Sequence, residues 1–210
     1  PTEWSFTLLV TFIFLFKSDE YKIGAQNTYY LNEGSYTGET STTQLKSLGV
    51  SYIIVGHSER RLYFNEDNNL INNKIKNILS NNLKPILCIG ESKEEKSLHK
   101  TSVVLKKQIE ECFKNIDIDM LSDVTIAYEP VWAIGTGLTP TISEIKEMID
   151  YIKTICSSKY NLNNIKVLYG GSVNRNNIKE INTINSLDGV LVGSASWEAR
   201  SFIELINNIK

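Results

Sequence analysis

From Lys22 onward the chain alternates short apolar runs with longer amphipathic stretches, and this alternation restricts the fold more than any other feature. Strands are predicted at Lys22–Gln26, Ser51–Val55, Pro85–Ile89, Val124–Tyr128, Lys166–Tyr169 and Gly189–Val192. Helical patterns lie between and after them, clearest at Glu66–Asn81, Glu94–Phe113, Ser143–Ser157 and Glu198–Asn208. Short apolar runs separated by amphipathic helices call for parallel strands covered by helices. Thr141 and Ser143 are N-cap candidates for the third helix, since a hydroxyl there satisfies an otherwise unpaired N–H. Within Glu66–Asn81, Leu70, Ile71, Lys74, Ile75, Ile78 and Leu79 recur at helical spacing, and the asparagines read as bias on a solvated face.

Three strand ends carry groups of chemical interest. The run Val124–Tyr128 leads into Glu129, Pro130 stops it, and the loop Val131-Trp132-Ala133-Ile134-Gly135-Thr136-Gly137 follows. A carboxylate on a strand end beside a movable loop is where a general base is expected. An acid of this kind standing alone is usually a surface residue at a turn. Here it is accompanied by His57, in Ile53-Ile54-Val55-Gly56-His57-Ser58-Glu59-Arg60-Arg61, and by Tyr169-Gly170-Gly171-Ser172-Val173 after Ile165–Leu168. An acid, a histidine and a glycine turn on three strand ends make a site. Their place at the C-terminal ends of strands favours a (β/α)8 barrel over a doubly wound sheet, although pattern alone leaves both open.

The bulk numbers exclude several classes. With 210 residues, 41% of them hydrophobic and 22% charged, the chain has material for an ample core. A formal charge of -2 with scattered basic residues gives no nucleic-acid footprint. Cys88, Cys112 and Cys156 are odd in number and lack metal-like spacing, which suits buried thiols in a reducing compartment. The apolar stretch Phe6–Phe16 is too short to span a bilayer. It also lacks the basic start and small-residue cleavage site of a secretory signal, so a buried strand or helix is expected. No membrane partner follows, and the expected location is the cytoplasm, with an organelle left open.

These motifs together resemble the triosephosphate isomerase family, from about Tyr21 to Lys210. The resemblance implies a (β/α)8 barrel and the interconversion of dihydroxyacetone phosphate and glyceraldehyde 3-phosphate, without metal or organic cofactor. It makes Glu129 the base, and His57 a neutral electrophile at the substrate oxygen. Glu59 would support the site and Ser58 would contact the base when the lid is open. Phosphate would be gripped by backbone N–H groups of Gly135, Ser172, Gly193 and Ser194. Pro130, Val131, Trp132, Ala133, Ile134, Gly135, Thr136 and Gly137 would form the lid. Arg60 and Arg61 are expected in ion pairs and at a dimer contact, and His99 in a structural role. The loop Gly34-Ser35-Tyr36-Thr37-Gly38-Glu39 resembles the family's protruding loop and implies a homodimer. Thr37 would then enter the neighbouring subunit, and Glu39 would pair with Arg60 of the partner subunit.

The chain also departs from the family pattern. About six of eight β/α units are recognisable, so the barrel is expected to be incomplete at its N-terminal side, with residues 1–20 an atypical apolar segment before a single domain over 21–210. The family's Asn-x-Lys element has no match, and Lys17, between Phe16 and Ser18, does not supply it. Loss of such a cation raises a barrier by ~3–4 kcal/mol, so the sequence as it stands is expected to be strongly impaired. Ser194 stands where a second glycine is common. Pro140 stands where the family's closed lid offers a backbone N–H to the tyrosine matching Tyr169, and proline has none. Two alternatives therefore accompany the isomerase reading: an inactive remnant that at most binds phosphate ligands, and another phosphate-binding barrel enzyme. The second would share the glycine turns but not the motifs around His57 and Glu129.

Overall fold

A computed structural model describes residues 4–7, 21–134 and 138–209. In chain order the elements are β1 (Trp4–Thr7), β2 (Tyr21–Ala25), α1 (Thr42–Ser47), β3 (Tyr52–Val55), α2 (Ser58–Phe64), α3 (Asn68–Ser80) and β4 (Lys84–Ile89). They continue with α4 (Lys93–Ser97), α5 (Thr101–Cys112), α6 (Ile118–Leu121), β5 (Thr125–Tyr128), α7 (Ile142–Tyr160), β6 (Lys166–Tyr169), α8 (Ile178–Ile181), β7 (Gly189–Val190) and α9 (Ala199–Ile206). The chain forms two compact units, Pro1–Leu87 with Glu110–Val124, and Cys88–Ile109 with Thr125–Lys210.

In the first unit β1 to β4 pair in chain order and all in parallel, with Phe6 beside Ile23, Gly24 beside Tyr52 and Ile53 beside Pro85. Parallel neighbours need a crossover between them, and helices fill that role after β3. Helix α3 packs on β3 and buries Ile71, Ile75 and Ile78 completely. Those residues lie four and three apart, which is one face of a helix. A long loop leaves this unit between β2 and α1. Its neck is closed by the Thr28 hydroxyl against Thr42 at 3.0 Å and by the Tyr29 N–H on the Thr40 carbonyl at 2.8 Å. Beyond the neck, residues 31–39 are exposed, with Thr37 and Glu39 among them. The Tyr29 ring rests on Tyr30 and Tyr36, at 4.6 and 4.5 Å between centroids.

In the second unit the end of β4 is followed by β5, β6 and β7, and Tyr128 lies beside Tyr169, itself beside Val190. All four residues of β5 are buried, as expected of a parallel strand covered on both faces. Helix α7 packs on β6. Thr141 is its N-cap, forming a capping box with Glu144, and Ile145, Ile149 and Ile152 are its buried stripe. The three cysteines are buried, and burial pushes the thiols of Cys112 and Cys156 up to about 12.

Two expectations need correction. The single helix expected over Glu94–Phe113 is two, α4 and α5, with His99 between them in the left-handed region at φ 54°. The His99 N–H bonds the Lys96 carbonyl and the Lys100 N–H bonds the Glu95 carbonyl, which satisfies the last carbonyls of α4 without a glycine. Helical periodicity runs straight through this break, so sequence pattern could not reveal it. The second correction is at the N-terminal side. Trp4–Thr7 is a strand paired with β2, giving seven parallel strands among the described residues where six were expected. It overlaps the start of the run Phe6–Phe16, where a buried strand or helix was expected but, with no turn signal in the run, could not be bounded. Residues 8–16 of that run lie outside the described residues.

Candidate active site

Glu129 follows β5 directly, is 2% exposed, and donates its N–H to the Ile89 carbonyl at 2.7 Å. Pairing continues past Pro130, because the Val131 N–H reaches the Glu91 carbonyl at 3.0 Å. Glu129 is thus held as an extension of the sheet. Space around it exists only because its neighbours are glycines. A Cβ on Gly90 would stand 1.8 Å from the Glu129 carbonyl oxygen, and one on Gly170 would stand 2.8 Å from the Glu129 Cγ. The Gly170 N–H closes the other side by bonding the Tyr128 carbonyl at 2.8 Å.

The first flank of the expected lid is a 3-10 turn, Val131–Ala133. The Trp132 indole N–H donates to Oε1 of Glu91 at 2.8 Å, and the Tyr128 hydroxyl lies 3.3 and 3.2 Å from the two oxygens of the same carboxylate. Glu91 is fully buried, and burial pushes its carboxyl above the usual carboxylate range, against the opposing pull of these donors. The Lys96 ammonium sits 4.0 Å from the centre of the Trp132 ring and 2.9 Å from Oε1 of Glu144. That ion pair, with the Thr141 N–H bond, draws the Glu144 carboxyl down to about 2. The Ser172 hydroxyl donates to the Ala133 carbonyl, so Ser172 also holds this flank. Gly135, Thr136 and Gly137 lie outside the described residues.

Gly193 precedes a second 3-10 turn, Ser194–Ser196, whose closing bond runs from the Ser196 N–H to the Gly193 carbonyl at 2.9 Å. The first N–H groups of such a turn have no partner within it and point outward from its start. Ser194 is not among the residues with positive φ, so an L side chain replaces the family's glycine there without backbone strain.

In the first unit, His57 follows the end of β3 after Gly56 and caps α2, its Nδ1 accepting the Glu59 N–H at 3.4 Å. The Glu59 carboxylate approaches the same Nδ1 to 3.9 Å. Glu59 is largely exposed, whereas Ser58 is buried. Arg61 fixes the turn ahead of the histidine: its Nε donates to the Gly56 carbonyl at 2.7 Å and its Nη1 to Asn68 at 2.6 Å. Arg60 forms an ion pair within its own chain, with Oε1 of Glu66 at 2.5 Å, and lies over the Phe64 ring.

Sequence reasoning missed two clusters. Glu91 follows the apolar run of β4 and a glycine, the same design that singled out Glu129, so the signal was present. Lys74 was placed on an apolar helix face, yet its ammonium is buried against Glu66 at 2.5 Å and Asn27 at 2.7 Å. No spacing rule joins residues that far apart in the chain.

A family model described as Triosephosphate isomerase matches residues 4–209. The chain belongs to the triosephosphate isomerase family. Relatives named triosephosphate isomerase include one from Alkaliphilus oremlandii, 43% identical over 189 residues, which are 89% of this chain and 76% of the relative. One from Finegoldia magna is 43% identical over 206 residues, 96% of this chain and 82% of the relative. One from Mycoplasmoides gallisepticum is 47% identical over 185 residues, 87% and 73% respectively. Membership assigns the chain to the isomerases and its parallel β/α repeats to the barrel class, with fewer strands described than the family's eight. The match also takes in residues 4–20, which by sequence had seemed atypical. Among the described residues no helix is long and apolar enough to cross a membrane.

Proposed function

We propose that this chain interconverts dihydroxyacetone phosphate and glyceraldehyde 3-phosphate through an enediolate, with Glu129 as the base. The reaction moves one proton between neighbouring carbons and involves no net redox change. It needs a base, a hydrogen-bond donor at the carbonyl oxygen, a phosphate grip and exclusion of water. Glu129 takes the proton from one carbon and returns it to the next. His57, as a neutral imidazole, polarises the carbonyl oxygen, in keeping with the family's neutral-histidine chemistry. Backbone N–H groups of Gly135, Ser172, Gly193 and Ser194 hold the phosphate dianion. Residues Pro130–Gly137 close over the bound substrate, with Ser58 contacting the base in the open state and Glu59 supporting the site. Two copies associate through the Thr37 loop, whose exposed tip on a closed neck supports that reading.

The observation that carries the proposal is the buried carboxylate of Glu129, fixed at a strand end between two glycines in a chain of this family. The test is turnover in heavy water by the purified protein and by Glu129→Gln. The expected result is solvent deuterium at the substrate carbon for the unchanged chain, and a loss of at least a thousandfold for the variant with phosphoglycolate binding retained. Turnover by Glu129→Gln within tenfold of the unchanged chain would overturn the assignment.

A further inference from the structure

We infer that Lys96 is a positioning residue, a single cation that ties together the two described flanks of the loop between β5 and α7. The first flank is the 3-10 turn Val131–Ala133, whose Trp132 is anchored from below by the buried Glu91 carboxylate at 2.8 Å. Lys96 supplies the second restraint on that indole, 4.0 Å from the ring centre. The other flank is the start of α7. There Oε2 of Glu144 accepts the Thr141 N–H at 2.8 Å and the Thr141 hydroxyl at 2.9 Å, while Oε1 takes the Lys96 ammonium at 2.9 Å. One oxygen of Glu144 therefore caps the helix, and the other holds the cation that sits on the tryptophan. Lys96 itself is fixed from a third direction, in the last turn of α4, whose end is locked by the left-handed His99.

An ion pair this open to solvent adds little to stability, so a stabilising role does not explain the arrangement. Geometry does. The ammonium touches both described sides of the segment, and an indole held by a hydrogen bond at one point and a cation over its face is restrained in orientation. The inference rests on the reading above that residues 130–137 close over substrate, because only then does the setting of Trp132 matter for turnover.

The experiment compares the unchanged chain, Lys96→Met and Lys96→Arg, each with a Trp4→Phe and Trp197→Phe background so that Trp132 is the sole indole. Trp132 is labelled as 5-fluorotryptophan and its fluorine resonance is followed as phosphoglycolate is added, alongside kcat and KM. Methionine keeps apolar contact with the ring but cannot pair with Glu144, whereas arginine can stack on the indole and still reach the carboxylate. The expected result for Lys96→Met is a broadened or shifted Trp132 resonance before ligand is added, and a kcat reduced five- to twentyfold with KM changed less than threefold. Lys96→Arg is expected to restore at least half of kcat. A Lys96→Met protein with an unaltered Trp132 resonance and unaltered kcat would overturn the inference, as would one that merely unfolds at lower temperature. A resonance that ignores phosphoglycolate in the unchanged chain would instead overturn the lid reading on which it stands.

Discussion

A Cβ on Gly170 would lie 2.8 Å from the Cγ of Glu129, closer than two carbons approach without one of them moving. The atom that must yield is in the middle of the side chain, between a backbone fixed by the Ile89 hydrogen bond and a carboxylate that has to meet substrate. Gly170→Ala is therefore expected to displace the base while leaving the fold intact. A misplacement approaching an ångström is enough to lower turnover by roughly a hundredfold, so a fall of about 10- to 100-fold in kcat is expected. Steady-state kinetics with circular dichroism as the control measure this. Full activity in a folded Gly170→Ala protein would mean that Glu129 has room it does not use.

Burial of Glu91 gives a stability signature with a definite sign. Its folded carboxyl lies above the ordinary carboxylate range because burial disfavours the charge. Between the unfolded value of about 4.3 and that raised value, the folded chain keeps a proton that the unfolded chain has lost. Stability contributed by this group is therefore present at low pH and declines as pH rises through the window. Glu91→Gln has no proton to lose and can still accept from Trp132. Urea unfolding at pH 4 and pH 7 should show the Gln variant gaining on the unchanged chain as pH rises. A constant difference between the two proteins at both pH values would remove the linkage.

What could be read ahead of the coordinates follows from how local each determinant is. Strand β5 and the N-cap of α7 depend on residues within four of one another; the strand lies where predicted, and of the two N-cap candidates, Thr141 and Ser143, the structure uses Thr141. The end of α4 depends on one histidine taking a left-handed conformation, which its side chain does not advertise. Glu129 and His57 stood out because strand ends and turn residues are sequence signals. The Lys96–Glu144 pair joins two helices 48 residues apart, and only folded chain geometry brings them within reach.

The Tyr169 hydroxyl is buried and has no hydrogen-bond partner among the described residues. In the family's closed lid the matching tyrosine meets a backbone N–H where this chain has Pro140, which offers none. Tyr169→Phe is accordingly expected to change kcat less than about twofold. In a Pro140→Ala background the same substitution should lower kcat by about fivefold, the size of one neutral hydrogen bond of roughly 1 kcal/mol. Pro140→Ala alone should also reduce the release of inorganic phosphate per turnover, because a better-latched lid retains the enediolate. The double-mutant cycle reads the coupling directly. Additive effects, with an unchanged elimination ratio, would show that Pro140 does not weaken a latch.

Oε1 of Glu66 receives both the Arg60 Nε and the Lys74 ammonium at 2.5 Å, while its Oε2 has no hydrogen-bond partner among the described residues. Lys74 is 3% exposed, and burial draws its ammonium below the usual lysine range although Glu66 opposes that shift. Removing the lysine would leave a buried carboxylate with only Arg60 against it. Breaking a buried pair from one side typically costs about 3–5 kcal/mol, whereas replacing both members with apolar groups is often near neutral. Lys74→Met is thus expected to destabilise the chain by about 3 kcal/mol, and Lys74→Met with Glu66→Leu by clearly less. The double variant is tolerable because Arg60, unlike the other two, reaches water. Urea titrations of the unchanged chain, Lys74→Met, Glu66→Leu and the double variant at pH 7 compare these losses. If the double variant loses as much as the sum of its parts, the cluster is stabilised by packing of its stems and not by its charges.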